Sequence, residues 1–276
     1  MGSEFWLIRQ DDHARLAGDL LPHFGNDHFA RPKSPEQMLI AVAEHDAGWP
    51  MHDDCPTLND AGLPRDVFET DGPAAHGIWL QSARHGVELN PYIGLLVTLH
   101  QFHLSAQNVQ QTTPPAHPAP FQVDQLRRQF ETNKFQHVMI EMIESLRGQL
   151  GLTTDRPLRL GLADGWTTPA EDLLRSDFRL LQALDGLSLA VCCTRPPRAR
   201  IGPMHEFAGS PEMFLTVDRP QPERLLVSPW PFAKANVRVE MPYRAVPARP
   251  YVDGEDLQSI YAEAEPQRFN VELLPG

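Results

Sequence analysis

The hydrophobic period of this chain changes once, near residue 200, and that change constrains the fold more than any other feature. Before it, apolar residues recur at helical spacing. After it, Met213–Val217, Arg224–Ser228, Val237–Met241 and Phe269–Leu274 alternate apolar and polar residues, the period of half-buried strands. Within the first part, Glu4–Arg9 reads as a short strand. Asp11 and Asp12 open a helix to about Phe24, with Leu16, Leu20 and Leu21 on its apolar side. Ser34, Pro35 and Gln37 give an N-cap, a proline at the first position and a capping-box glutamine; that helix stops around Gly48 and Pro50. Residues 50–90 read as loop-rich. A helix from Asn90 and Pro91, carrying Ile93, Leu95, Leu96, Leu99 and Phe102, is apolar enough to be central. Gln110–Pro120 reads as a linker, Gln122–Gln149 as a long helix, and Thr168, Pro169 and Glu171 as the cap of another reaching about Asp185, with helix or strand to Cys193. The Pro/Arg-rich run Arg195–Pro203 reads as a solvated loop. The expected fold class is therefore mainly α, with a helical body over residues 1–200 and a smaller β-rich portion over 201–276 packed on it.

Composition narrows the function. Lysine and arginine number 24 against 36 aspartates and glutamates, a net charge of −12. Such a field does not grip nucleic-acid phosphates or anionic membranes, so neither is an expected partner. The 27 prolines call for many short elements joined by stiff turns. Three cysteines, two of them adjacent at Cys192 and Cys193, make no disulfide framework and no zinc spacing. Reduced thiols, no apolar run of membrane length and no signal-peptide pattern at the start together give a cytoplasmic expectation.

Several signatures are missing: the GxxxxGK[ST] phosphate loop, GxGxxG after a strand, the GxSxG elbow and HExxH. What stands out is His45–Asp46 in AVAEHDAGW, at the end of an apolar helix. An imidazole beside a carboxylate offers a borderline nitrogen and a hard oxygen to a divalent ion. His13 lies on the preceding helix, in QDDHARL, and Asp185 sits among leucines in LLQALDGLSL, where a lone carboxylate is costly unless paired or metal-bound. The order H…HD…D resembles the HD-domain superfamily of metal-dependent phosphohydrolases. Over nearly the whole chain, QDDHARLAGDL, AVAEHDAGW, LLVTLHQFHLS, LQALDGLSLAVC and VSPWPF, in that order, resemble the bacterial family known as domain of unknown function 3891.

The resemblance implies an HD-type helical bundle around one or two metals. Carried over residue by residue, it places His13, His45, Asp46 and Asp185 at the ligand positions. His100 and His103 share a helix face and are the favoured ligands of a second ion, with His76 and His85 in the same interval. Glu44 and Arg15 are candidate catalytic groups, Glu44 as a base and Arg15 on a phosphate; a solvated helix face and a surface ion pair also account for them. The implied cofactor is one or two divalent ions (Mn, Mg, Fe, Co or Zn). The implied activity is hydrolysis of a small phosphoester or nucleotide, by a chain that can form a homo-oligomer. Two alternatives stay open: an HD-fold di-iron oxygenase, and a catalytically silent module that binds metal or ligand.

Overall fold

The computed structural model of the chain describes residues 4–70, 72–111, 123–152, 168–193 and 199–276. Its helices are α1 (Gln10–Leu20), α2 (Pro35–Ala43), α3 (Pro50–Asp53), α4 (Gly72–Leu89), α5 (Pro91–Gln111), α6 (Val123–Gln149), α7 (Pro169–Cys192) and α8 (Gly254–Glu263). Its strands are β1 (Glu4–Leu7), β2 (Arg200–His205), β3 (Glu212–Gln221), β4 (Arg224–Ser228), β5 (Val237–Pro247) and β6 (Pro266–Pro275). The strands make one six-stranded sheet in the order β1-β5-β6-β4-β3-β2, with β4 and β6 parallel and the other neighbours antiparallel.

This corrects the mainly α expectation of an HD-type helical bundle with a small β appendage. Helices hold about half of the chain, but the sheet is mixed and forms a layer of its own, so the fold is mixed α/β. The first strand comes from the N-terminus: Phe5 pairs with Val246 and Leu7 with Arg244. Another, β2, comes from the stretch read as a Pro/Arg loop, where Arg200 lies over the Phe214 ring at 4.1 Å. Arg195 and Arg198 lie outside the described residues, as do residues 112–120 of the expected linker. One apolar core joins the layers. Leu16, Ala17 and Leu20 of α1 and Leu181, Leu184 and Leu187 of α7 pack with Leu225, Val239, Met241 and Val271 of the sheet. Alternate residues of β5, such as Arg238 and Glu240, face solvent, as the period of two requires.

The region read as loop-rich also holds α4, which buries Ala75, Ile78, Trp79, Ser82 and Ala83. Its Pro73 falls in the first turn, where a missing N–H is harmless. The cap at Thr168 forms as expected, a reciprocal box with Glu171, whereas Ser34 makes no side-chain cap and α2 starts on its proline alone. Helix α5 is central: Ile93, Leu95, Leu96, Val97 and Leu99 are all buried. No helix among the described residues is long and apolar enough to cross a membrane.

Candidate metal centre

Four segments bring their side chains to one interior point. Helix α1 supplies His13, the turn after α2 supplies His45 and Asp46, α5 supplies His100 and Gln101, and α7 supplies Asp185 and Ser188. Helix α2 ends at Ala43, so the His-Asp pair sits in a tight turn over residues 44–48 rather than on a regular helix face. Gly48 fixes that turn against α4. Its N–H donates to Ser82 Oγ at 2.9 Å, and a Cβ there would lie 2.2 Å from the Ile78 carbonyl oxygen. Only glycine allows that approach.

The donors alternate around a ring. His13 Nε2 lies 3.4 Å from Asp46 Oδ2 and 3.3 Å from Asp185 Oδ1. His45 Nε2 lies 3.7 and 3.6 Å from the same two oxygens. An ion with nitrogen and oxygen bonds of about 2.0–2.2 Å keeps adjacent ligands roughly 3.0–3.5 Å apart, so the ring is close to the size one ion needs. Ligand atoms of His13, His45 and Asp185 all lie within 4.8 Å of one another.

Hydrogen bonds behind the ring fix which ring nitrogen carries the proton. His45 Nδ1 is 2.7 Å from the Val42 carbonyl, which can only accept, so Nδ1 holds a hydrogen and Nε2 is the nitrogen left for an ion. That Nε2 is buried without a hydrogen-bond partner. Ser188 Oγ donates its one proton to the Asp185 carbonyl at 2.8 Å and accepts from His13 Nδ1 at 2.6 Å, so His13 also presents a bare Nε2. Gln101 Nε2 donates to the His45 carbonyl at 2.6 Å and leans on Asp46 Oδ1 at 3.4 Å, leaving Oδ2 turned inward. Support of this kind is what orients metal ligands and sets their basicity.

The electrostatics agree with that donor set. Burial opposes a charged His45, but Asp46 and Asp185 outweigh it and raise the imidazole to about 9. Burial likewise opposes the two carboxylates, yet the facing histidines hold both below the usual carboxylate range. His100, fully buried, is pushed down to about 4 and is neutral. His45 therefore holds a second proton in the metal-free chain, and an ion that displaces it meets two carboxylates whose charge a dication balances. An orphaned imidazole nitrogen, two inward carboxylate oxygens and prealigned tautomers fit a divalent ion.

The remaining sequence candidates are placed as follows. His100 reaches the outer oxygen of Asp185, Oδ2, at 3.8 Å, and its ring edge meets His45. His103 turns to Phe178, ring centroids 6.0 Å apart, and His76 stacks on Phe135. Glu44, 41% exposed, pairs with His85 at 3.2 Å. Arg15, 61% exposed, pairs with Asp11 and Asp12 along α1. Neither Glu44 nor Arg15 is brought to the ring by any of these contacts. Gln101 and Ser188 were not singled out by sequence; nothing in their spacing marks them. A cleft of about 1180 Å³ opens beside His13, with Trp6, Arg9, Trp49, Asp53, Arg65 and Phe68 among its lining residues.

Fold and site together define a mixed α/β protein with an interior His/Asp centre beside a cleft. The chain belongs to the family described as Protein of unknown function (DUF3891), whose model matches residues 1–248. No curated protein and no solved structure matches it.

Proposed function

We propose that this chain is a metal-dependent phosphohydrolase of small phosphoesters, nucleotides included, working through an HD-type centre of His13, His45, Asp46 and Asp185. The observation that carries this reading is the alternating ring of two imidazole nitrogens and two carboxylate oxygens, 3.3 to 3.7 Å apart, with both Nε2 atoms aimed inward. A divalent ion held there would polarise a phosphoryl oxygen and lower the pKa of a water. The chain's own residues do the rest. The Val42 carbonyl keeps His45, and Ser188 keeps His13, with Nε2 turned to the ion. Gln101 orients Asp46, and the cleft beside His13 admits the ester.

Elemental analysis of protein purified without chelator tests the reading, followed by turnover of p-nitrophenyl phosphate and nucleotides with Mn, Mg, Co or Zn. Near-stoichiometric metal and chelator-sensitive hydrolysis are expected. A chain that holds no ion, or that holds one and hydrolyses no phosphoester, defeats it. One observation favours a two-ion version: His100 Nε2 addresses the Asp185 oxygen that His13 and His45 do not face. Two irons per chain with a mixed-valent signal would move the site to oxygenase chemistry.

A further inference from the structure

Hydrolysis of an unactivated phosphoester needs a proton for the departing oxygen, and none of the four ring residues is free to give one. Asp53 ends α3, just beyond the turn that carries His45 and Asp46. Its Oδ2 accepts the Gln10 N–H at 2.6 Å, in the first turn of α1. His13 follows Gln10 by about one turn of α1, and Asp46 of the ring is close enough to act electrostatically on the Asp53 carboxyl. Asp53 and His13 line the same cleft. Among the described residues, Asp53 Oδ1 has no hydrogen-bond partner. The charged and titratable groups around Asp53 are Arg9 at the N-cap of α1, Asp11 of α1, Asp46 of the turn and Tyr261 of α8. Arg9 is engaged elsewhere, with Asp11 at 2.9 Å and with Asp54, so it does not form an ion pair with Asp53.

Resting on the phosphohydrolase reading, we propose that Asp53 is the general acid of the centre, donating its proton to the ester oxygen that leaves. Burial raises its carboxyl to about 7, with Asp11 and Asp46 adding to the effect and the Gln10 N–H and Arg9 opposing it. It therefore carries a proton for a good part of the time near neutral pH. In the step, water attacks phosphorus and the bond to the ester oxygen breaks, its electron pair going to that oxygen. The Asp53 proton joins it and the alcohol departs. The proton released by the attacking water returns through solvent to the Asp53 carboxylate, restoring the acid. Atoms and charge balance without any further reactant.

The test uses the full chain loaded with Mn²⁺, two probes and Asp53→Asn, which keeps an oxygen for the Gln10 N–H. Phenyl phosphate has a poor leaving group and needs the acid; p-nitrophenyl phosphate scarcely does. The variant should lose roughly 10²-fold or more in kcat on phenyl phosphate and under about tenfold on p-nitrophenyl phosphate. Its pH–rate profile should lose the alkaline limb near 7, with metal content unchanged. Independently of turnover, carbon-13 NMR of the Asp53 carboxyl in the metal-free chain should titrate near 7. Equal losses on both esters, a retained alkaline limb, or titration near the ordinary aspartate value overturns the assignment while leaving the phosphohydrolase reading in place. A metal-loaded wild type that hydrolyses neither ester overturns both.

Discussion

Replacing Ser188 with alanine isolates the contribution of the hydrogen bond behind His13. Ser188 Oγ accepts the His13 Nδ1–H at 2.6 Å, and His13 is 2% exposed, so no solvent substitutes for it. In the metal-free variant the imidazole has an inexpensive alternative. It shifts its proton to Nε2, where Asp185 Oδ1 and Asp46 Oδ2 wait at 3.3 and 3.4 Å. The fold should therefore lose little stability. Binding an ion reverses that shift and leaves Nδ1–H buried with no acceptor. An unsatisfied buried donor costs about 1–3 kcal/mol, or roughly a 5- to 150-fold loss of affinity, in line with the 10–100-fold typical of second-sphere deletions. Competition against a chromophoric chelator measures the ion affinity, and thermal unfolding of the metal-free chain measures the stability. Wild-type affinity in Ser188→Ala would refute the tautomer assignment. A large fall in the melting temperature with proportionate loss of binding would show that Ser188 merely supports the helix.

Other perturbations follow from the same geometry. His45→Ala and Asp46→Ala should each abolish ion binding yet leave circular dichroism near wild type; full occupancy in either removes these residues from the centre. Gly48→Ala forces a methyl to within 2.2 Å of the Ile78 carbonyl oxygen. A loss of about 3 kcal/mol by denaturant titration is expected, and a neutral variant would show that the turn relaxes freely. Away from the centre, Asp177 is 3% exposed and burial raises its pKa to about 6, although the Tyr92 hydroxyl donates to it at 2.5 Å. Its folded pKa exceeds its unfolded one, so the native state holds the proton longer and stability falls as pH rises from about 4 to 6. The fall amounts to roughly 3 kcal/mol at most. Asp177→Asn should flatten that slope and stabilise the chain at pH 7; an unchanged slope in pH-dependent unfolding contradicts it.

The His-Asp pair at a helix end and Asp185 among leucines are local anomalies that the sequence displays, whereas His13 joins them only through the resemblance; the structure brings all four side chains to one point. What holds them was not legible. Ser188 and Gln101 look ordinary in sequence, and their roles depend on how α5 and α7 are rotated against α1 and the 44–48 turn, which packing alone decides. The pairing of His100 with His103 shows the limit of spacing arguments. Residues three apart share a face, but spacing does not give their partners: His100 addresses Asp185 and His45, and His103 meets the Phe178 ring. The cap of α7 announced itself; α4 did not, because its glycines and proline imitate a loop. Gly86 is there so that α5 can approach: a Cβ would meet Gly94 Cα and the Val97 side chain at 3.3 Å. The sheet was read as a C-terminal appendage because strand partners far apart in sequence leave no local trace, as with β1 and β5.

Strand β6 stands third of six in the sheet although it follows the other five described strands in sequence, and it lies past residue 248, where the family model's match stops. During synthesis, β1 and β5 can pair early, and so can β2, β3 and β4. The two halves stay separate until the 266–275 segment leaves the ribosome and zips between them. Completing the sheet thus waits for the 266–275 segment to emerge, and joining the two halves is burdened by high contact order. A fragment cut at 248 would display two raw strand edges, those of β5 and β4, and invite aggregation.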